Sequence, residues 1–233
     1  MEKTKVKDSH RFRIIIQARM SSNRMPGKML APFLGRPLIL SVIERLKQVD
    51  PKIPVIVGTS NEISDDPLAL YVESLGTPVF RGSRENVFGR FAETVKEYPC
   101  EAFFRVCGDS PLLDISLFKE AIYLYDNIDG LDLVTNVFPR TFPSGMSVEL
   151  LNTKMFLNTE SHITDPIDKE HVTPYFYKNH KLFKIENIEC ENASDPTLRY
   201  SINDLEDLRF IEKICTSNGI WNCNKKRSSK SIS

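Results

Sequence analysis

Three short stretches hold the residue types that bind anions and metals. The first, Gln17-Ala-Arg-Met-Ser-Ser-Asn-Arg-Met-Pro-Gly-Lys28, gathers Arg19, Arg24 and Lys28 in one segment. Arginine meets phosphate oxygens as a fork and lysine as a point charge, so this segment suits a triphosphate. Gly27 would allow close backbone approach. It is not a Walker loop: Ser22 stands at the first glycine position, and Met29 follows the lysine in place of Ser or Thr. A solvated basic loop is the competing explanation. The second stretch is Gly108-Asp109-Ser110-Pro111. A carboxylate before a proline turn can hold a magnesium that bridges phosphates, although a turn or helix-cap aspartate has the same appearance. The third, Arg81-Gly82-Ser83, sets another cation beside a glycine.

These stretches matter because of the elements that precede them. Phe12 to Gln17, with three consecutive isoleucines, reads as a buried strand. Leu38, Ile39, Val42, Ile43, Leu46 and Val49 recur at helical spacing behind Pro37, which suits a first helical turn. Val55 to Val57 and Pro78 to Phe80 read as strands two and three, and Ala102 to Val106 as the fourth. Between them, Ser64 or Asp65 can cap a helix ending at Gly76, Glu85 to Tyr98 is amphipathic, and Asp114 to Tyr125 is a further helix. Strands alternating with helices of this length predict an α/β fold: a mainly parallel sheet covered on both faces. In such sheets the ligand crevice lies at the carboxyl ends of the strands. Each of the three stretches follows a strand, which makes a shared nucleotide-and-metal crevice a better explanation than three unrelated surface features. After Leu131 the rhythm loosens into short apolar runs at Asp132–Thr135, Met146–Leu151 and Leu182–Ile188, then a final helix from Asp204 to Ser217.

Composition narrows the class. The 233 residues are 41% hydrophobic and 27% charged, ordinary for a globular chain and too apolar for general disorder. No apolar run reaches the ~18–20 residues of a membrane span, and the first ten residues contain no signal-peptide core. A cytoplasmic location is expected. Lysine plus arginine equals aspartate plus glutamate at 31 each. Setting aside residues 1–11 and 222–233 leaves 23 basic and 29 acidic side chains, an acidic body unlike that of a nucleic-acid binder. We therefore expect flexible ends at 1–11 and 222–233 around a single domain at 12–221. Five cysteines, at 100, 107, 190, 215 and 223, lack Cys-x-x-Cys spacing and predict reduced thiols without a zinc site.

The ordered motifs resemble those of the CMP-sugar synthetases. Ala18-Arg19, Ser22, Arg24 and Pro26-Gly27-Lys28 match the pattern A-R-x-x-S-x-R-x-P-G-K. Phe80–Ser83, Arg105–Leu112, Phe142–Gly145 through Glu149, Glu170–Tyr175 and Arg199 through Leu208 follow in order. The chain is similar to the spore-coat polysaccharide branch, related to the Kdo and acylneuraminate cytidylyltransferases, over residues 12–210. That resemblance implies a nucleotide-diphospho-sugar-transferase type fold, CTP and magnesium as ligands, a sugar acceptor and a homodimer. It places Arg19 and Lys28 on the triphosphate, with Ala18, Ser22 and Arg24 in the same nucleotide site. It puts Arg81, Gly82 and Cys107 near the cytidine and makes Asp109 a magnesium ligand. Gly145, Glu149, Glu170 and His171 would approach the sugar or the dimer partner. Two positions depart from the pattern. Asn203 replaces the second metal carboxylate, leaving its amide oxygen or the adjacent Asp204 to serve, and Ser147 replaces an aspartate.

The expected chemistry is transfer of CMP from CTP to a sugar hydroxyl, with Arg19, Lys28 and a metal at Asp109 neutralising charge. Two alternatives stand beside it: a sugar-1-phosphate nucleotidyltransferase or glycosyltransferase of the same fold, and a nucleotide-binding subunit with impaired turnover. His171 has no paired metal-ligand spacing, Cys107 has no histidine or cationic cluster nearby in sequence, and Trp221 is expected to pack the end of the last helix.

Overall fold

The computed structural model describes residues 10–190 and 198–217. The C-terminal tail and Trp221 lie outside these residues, as does residues 1–9 of the N-terminal tail. Strands β1 (His10–Gln17), β4 (Val55–Ser60), β5 (Val79–Gly82), β6 (Cys100–Cys107), β7 (Leu133–Thr135), β8 (Glu149–Asn152) and β9 (Ile185–Asn187) form one seven-stranded sheet. Its order is β5-β4-β1-β6-β8-β7-β9. All run the same way except β8, which is antiparallel to both neighbours. A small hairpin, β2 (Pro32–Phe33) with β3 (Arg36–Pro37), turns through Leu34 and Gly35, both at positive φ. The helices are α1 (Leu38–Leu46), α2 (Asp66–Ser74), α3 (Val87–Glu97), α4 (Ile115–Asn127), α5 (Thr153–Thr159), α6 (Pro166–His171), α7 (Pro174–Lys178) and α8 (Leu205–Thr216).

The isoleucine run explains why β1 is central. Ile14 and Ile16 pack into a core with Leu38 and Val42 of α1, Leu68 and Val72 of α2, Phe118 of α4 and Ile211 of α8. Ile15 points the opposite way, into Phe88 and Phe91 of α3, Phe156 of α5 and Phe176 of α7. A strand with apolar layers on both faces has no reason to alternate in polarity. From β1 the chain runs outward to β4 and β5, then returns through α3 to β6 on the other side of β1. This reversal opens a crevice at the carboxyl ends of β1 and β6.

Several expectations need adjustment. The first strand begins at His10, not Phe12, so residues 10 and 11 belong to the sheet. Arg11 reaches Asp126 at 2.7 Å and Glu101 at 3.3 Å. The third strand runs on through Gly82, which places Arg81 inside it and not beyond its end. Asp65 precedes α2 but makes no side-chain cap there. Cys100, Cys107 and Cys215 are free thiols, whereas Cys190 is disulfide-bonded, so the all-reduced set expected from spacing does not hold. Disulfide partners need no sequence motif, and spacing could not reveal this one. Among the described residues, no helix is long and apolar enough to cross a membrane.

Candidate active site

The crevice has a volume of about 380 Å³. One wall is the loop after β1. Met20 O accepts from Gly27 N at 2.8 Å and from Ser22 N at 3.0 Å, and Ser22 Oγ accepts from Met25 N at 3.3 Å. Gly27, at φ +78°, turns the chain into a short 3-10 segment, Lys28–Leu30. The loop is tied down from outside by Asp65, which is fully buried. Its Oδ1 accepts from Met20 N at 2.6 Å, and its Oδ2 accepts from the N–H of Ser60 at 3.1 Å and from the Ser60 hydroxyl.

The loop delivers its three cations to three partners. Lys28 Nζ donates to Asp109 Oδ2 at 2.8 Å and to Ile202 O at 2.9 Å. Arg24 Nη2 donates to Asn203 Oδ1 at 2.8 Å. Arg19 faces Glu170 of α6 at 3.6 Å. Gly108 lies tight beneath this wall: a Cβ there would stand 3.0 Å from Met29 Sδ and 3.1 Å from Ala18 Cβ. Asp109 O accepts from Ile202 N at 2.8 Å, which brings the Asn203 segment alongside the end of β6.

A fourth cation on the crevice is Arg90 of α3. It is 3% exposed, and Nη1 donates to Ser83 O at 2.7 Å. Its Nε is buried with no hydrogen-bond partner among the described residues. Burial, and then the nearby Arg19, push its pKa down to about 10 despite the opposing pull of Asp65, so it remains charged at neutral pH. A buried cation with no salt-bridge partner among the described residues, lining a crevice with three other cations, is arranged for an anionic ligand.

Beneath the crevice lies a polar chain centred on buried Glu149. Arg105 Nη1 donates to Glu149 Oε2 at 3.0 Å, and its Nε donates to Gln17 Oε1 at 3.1 Å. Tyr177 OH donates to Glu149 Oε1 at 2.6 Å. Burial alone would lower the Arg105 pKa, but Cys107, Glu149 and Tyr177 more than offset it. Burial and the Glu149 charge raise the Tyr177 phenol above its ordinary value. Cys107 sits between this chain and the crevice, its thiol pushed up by burial to about 11, so it is a neutral wall and not a nucleophile.

Beyond Cys107 and Asp109 a second cleft of about 150 Å³ is lined by Ser110, Ser144, Gly145, Ser147 and Ser201. Gly145 is at φ +93°, and a Cβ on it would stand 2.3 Å from the Tyr200 carbonyl carbon. Only glycine lets the 144–145 and 200–201 segments meet backbone to backbone, with Tyr200 N donating to Ser144 O at 2.6 Å. Ser147 Oγ accepts from Arg140 at 3.1 and 3.2 Å. At the crevice mouth α6 ends in Val172, fully buried at φ +71°, with Thr173 N donating to His171 O at 2.8 Å. This γ-turn around a β-branched residue costs roughly 1–3 kcal/mol, and it sets Glu170 and His171 on the crevice wall.

Ala18, Arg19, Ser22, Arg24, Lys28, Cys107, Asp109, Glu170, His171 and Asn203 thus line a single crevice, with Gly145 in the adjoining cleft. Four expected site residues stand elsewhere. Arg81 donates to Ser60 O and Glu62 O and pairs with Asp66 at 2.6 Å, because its place within β5 turns it away from the crevice. Gly82 provides room for Arg90: a Cβ there would stand 3.1 Å from Arg90 Cγ. Glu149 is 2% exposed and committed to Arg105 and Tyr177. Asp204 Oδ1 accepts from Asp207 N at 2.9 Å as the N-cap of α8, and Asp204 does not line the crevice. Arg90, Gln17 and Asp65 were not anticipated. Arg90 sits mid-helix, where a charge reads as a solvated face, and Asp65 reads as a helix cap.

No group of three or more His, Cys, Asp or Glu that could hold a metal occurs among the described residues. Asp109, with the Asn203 amide oxygen on the same crevice, is a one-carboxylate donor set. Such a set fits magnesium when phosphate oxygens complete the shell.

A mostly parallel sheet of this order, with cations and a carboxylate at its switch point, is an α/β framework suited to a nucleotide. The chain belongs to the cytidylyltransferase family, whose model matches residues 13–227. It is similar to the structure of a cytidylyltransferase from Leptospira borgpetersenii, with a TM-score of 0.84 and 31% identity, covering 89% of this chain and 87% of that one. It is 28% identical to the spore coat polysaccharide biosynthesis protein SpsF of Bacillus subtilis, over 86% of this chain and 84% of the relative. It is 29% identical to the 3-deoxy-manno-octulosonate cytidylyltransferase of Chlorobium chlorochromatii, over 85% and 84%.

Proposed function

We propose that this protein transfers CMP from CTP to a hydroxyl of a sugar in surface polysaccharide or glycoconjugate synthesis. The observation that carries this reading is the convergence of Arg19, Arg24, Lys28 and Arg90 with Asp109 on one crevice. The named activities of the relatives support cytidine as the base and a sugar as the acceptor. The sugar oxygen attacks the α-phosphorus of CTP, its proton is released to water, and the bond to the bridging oxygen breaks to free pyrophosphate. Arg19, Arg24 and Lys28 hold the triphosphate and neutralise the charge that builds on the leaving pyrophosphate, which requires position and charge more than covalent chemistry. Arg90, from α3, adds a fourth positive charge to the nucleotide site. The serine-rich cleft beside Asp109 receives the acceptor, its hydroxyls matching those of a sugar.

Asp109 and Asn203 would hold magnesium, which supplies Lewis-acid charge neutralisation when bound. A homodimer in the cytoplasm belongs to the same reading. The test is pyrophosphate release from each of the four ribonucleoside triphosphates, with magnesium, against a panel that includes 3-deoxy-manno-octulosonate and other sugar acids. Release with CTP and at least one sugar is expected. Release only with other nucleotides, or CTP binding without release against every sugar, overturns the assignment.

A further inference from the structure

We propose that Gln17 reads an oxygen of the bound nucleotide, its amide held in one orientation by Arg105. The inference rests on the nucleotide-binding reading above and adds a residue to it. Gln17 is the last residue of β1, in register with Gly58 of β4 and Cys107 of β6, at the floor of the crevice. Its Oε1 accepts from Arg105 Nε at 3.1 Å. A guanidinium has only donors, so the oxygen must face it and the amide cannot flip. Arg105 is fixed in turn, since Glu149 Oε2 holds Nη1 at 3.0 Å. Glu149 is fixed by Tyr177, whose hydroxyl also lies 3.0 Å from Thr135 Oγ1.

This chain of bonds ends on a side-chain nitrogen, Gln17 Nε2, that has no partner among the described residues. Its two N–H groups belong to a residue lining the crevice next to Ala18 and Arg19, with Arg90 on the same crevice. A buried ion pair contributes little net stability compared with apolar packing, but it fixes geometry. Here that geometry presets two donors where an acceptor-only oxygen of a phosphate or nucleoside would lie.

Gln17→Glu tests this with almost no change of shape. It keeps an oxygen toward Arg105, in a stronger charge-assisted bond, and replaces the donor nitrogen with a second oxygen. Gln17→Met removes the donors without adding charge. The full-length protein and both variants are titrated calorimetrically with CTP plus magnesium and with inorganic tripolyphosphate plus magnesium, after thermal unfolding confirms the fold. CTP affinity is expected to fall about tenfold in Gln17→Met and further in Gln17→Glu. An equal loss for tripolyphosphate in Gln17→Met identifies a phosphate oxygen, and a loss for CTP alone identifies a nucleoside oxygen. If Gln17→Met does not fold, Gln17→Glu carries the test. Wild type that binds CTP beside folded variants of unchanged affinity overturns this proposal alone. Wild type that fails to bind CTP overturns the reading beneath it as well.

Discussion

On one wall of the crevice, Arg19, Arg24 and Lys28 ride on a single loop whose shape is set largely by its own backbone bonds through Met20, Ser22 and Gly27. On the other side, Gln17, Arg90, Arg105 and Glu149 come from β1, α3, β6 and β8, and meet only because the sheet brings those elements together. The loop keeps its charges half-exposed or paired across the crevice, with Asp109, Asn203 and Glu170. The far side largely buries its charges, and holds the Arg105–Glu149 pair with bonds between distant parts of the chain. A loop can thus present charge with little help from the core, whereas a buried charge needs several elements to agree on its place. This predicts that loop substitutions act on the ligand, and that substitutions on the far side act on ligand and fold in separable ways.

The largest expected effect is on the loop wall and the carboxylate it faces. Lys28→Ala and Asp109→Asn should each lower turnover by ~10²–10³, the cost of losing one preorganised charge in such a site. Lys28 is nearly buried and paired with Asp109, so the two should not be additive: the double variant should lose less than the product of the single losses. Steady-state pyrophosphate release with all three variants measures this. Strict additivity would separate the two roles and break the account of one shared charge site.

Gly145→Ala comes next. The added methyl would meet the Tyr200–Ser201 backbone at 2.3–2.4 Å, at a positive φ that alanine resists. We expect a loss of ~2–3 kcal/mol, which lowers Tm by roughly 4–12 °C in a domain of this size. Turnover should fall with it, because the acceptor cleft is formed where these two segments meet. CTP affinity should change much less, since the nucleotide crevice lies on the other side of Asp109. Thermal unfolding and CTP titration on the same sample separate the two.

Arg90→Met sharpens the contrast between charge and fold. This side chain is buried with no salt-bridge partner among the described residues, and burial and Arg19 outweigh the pull of Asp65, so removing the charge should leave Tm unchanged or raise it. CTP affinity should nevertheless fall by roughly ten- to a hundredfold, the loss of a charge-assisted contact. A variant that both unfolds easily and binds CTP normally would make Arg90 a structural residue.

What the sequence revealed follows the same division. Ile14–Ile16 announced the central strand because a strand buried on both faces needs an unbroken apolar run. The loop cations and Asp109 were legible because their spacing is local and they follow strands. Arg90 was not, because a charge within an amphipathic helix ordinarily faces water, and nothing nearby in sequence marks the turn of α3 that meets the crevice. Glu149 was assigned to substrate because its pairing with Arg105 crosses 44 residues of chain. Asp204 was offered to a metal because capping depends on where α8 begins, a boundary that residue pattern fixes only to within a turn.

Arg81 should give the smallest effect, and for that reason it tests the division directly. As a cation beside Gly82 at the end of a strand, it looks in sequence like Arg19. In the fold it lies within β5, opposite Thr59 of β4, and its guanidinium serves Ser60 O at 3.0 Å, Glu62 O at 2.9 Å and Asp66 at 2.6 Å. Both members of the ion pair are about a third or more exposed, so screening by water leaves the pair worth ~0.2–1 kcal/mol. Arg81→Ala should therefore lower Tm by no more than ~4 °C. Glu62 is exposed, and its carbonyl can take water in place of the guanidinium. CTP affinity should stay within about twofold of wild type, against the ten- to a hundredfold loss expected for Arg90→Met. Calorimetric titration of the two variants side by side decides which arginine serves the nucleotide. A large loss in Arg81→Ala with none in Arg90→Met would mean that the β5 end swings into the crevice when ligand binds, and the far wall would have to be redrawn around Arg81.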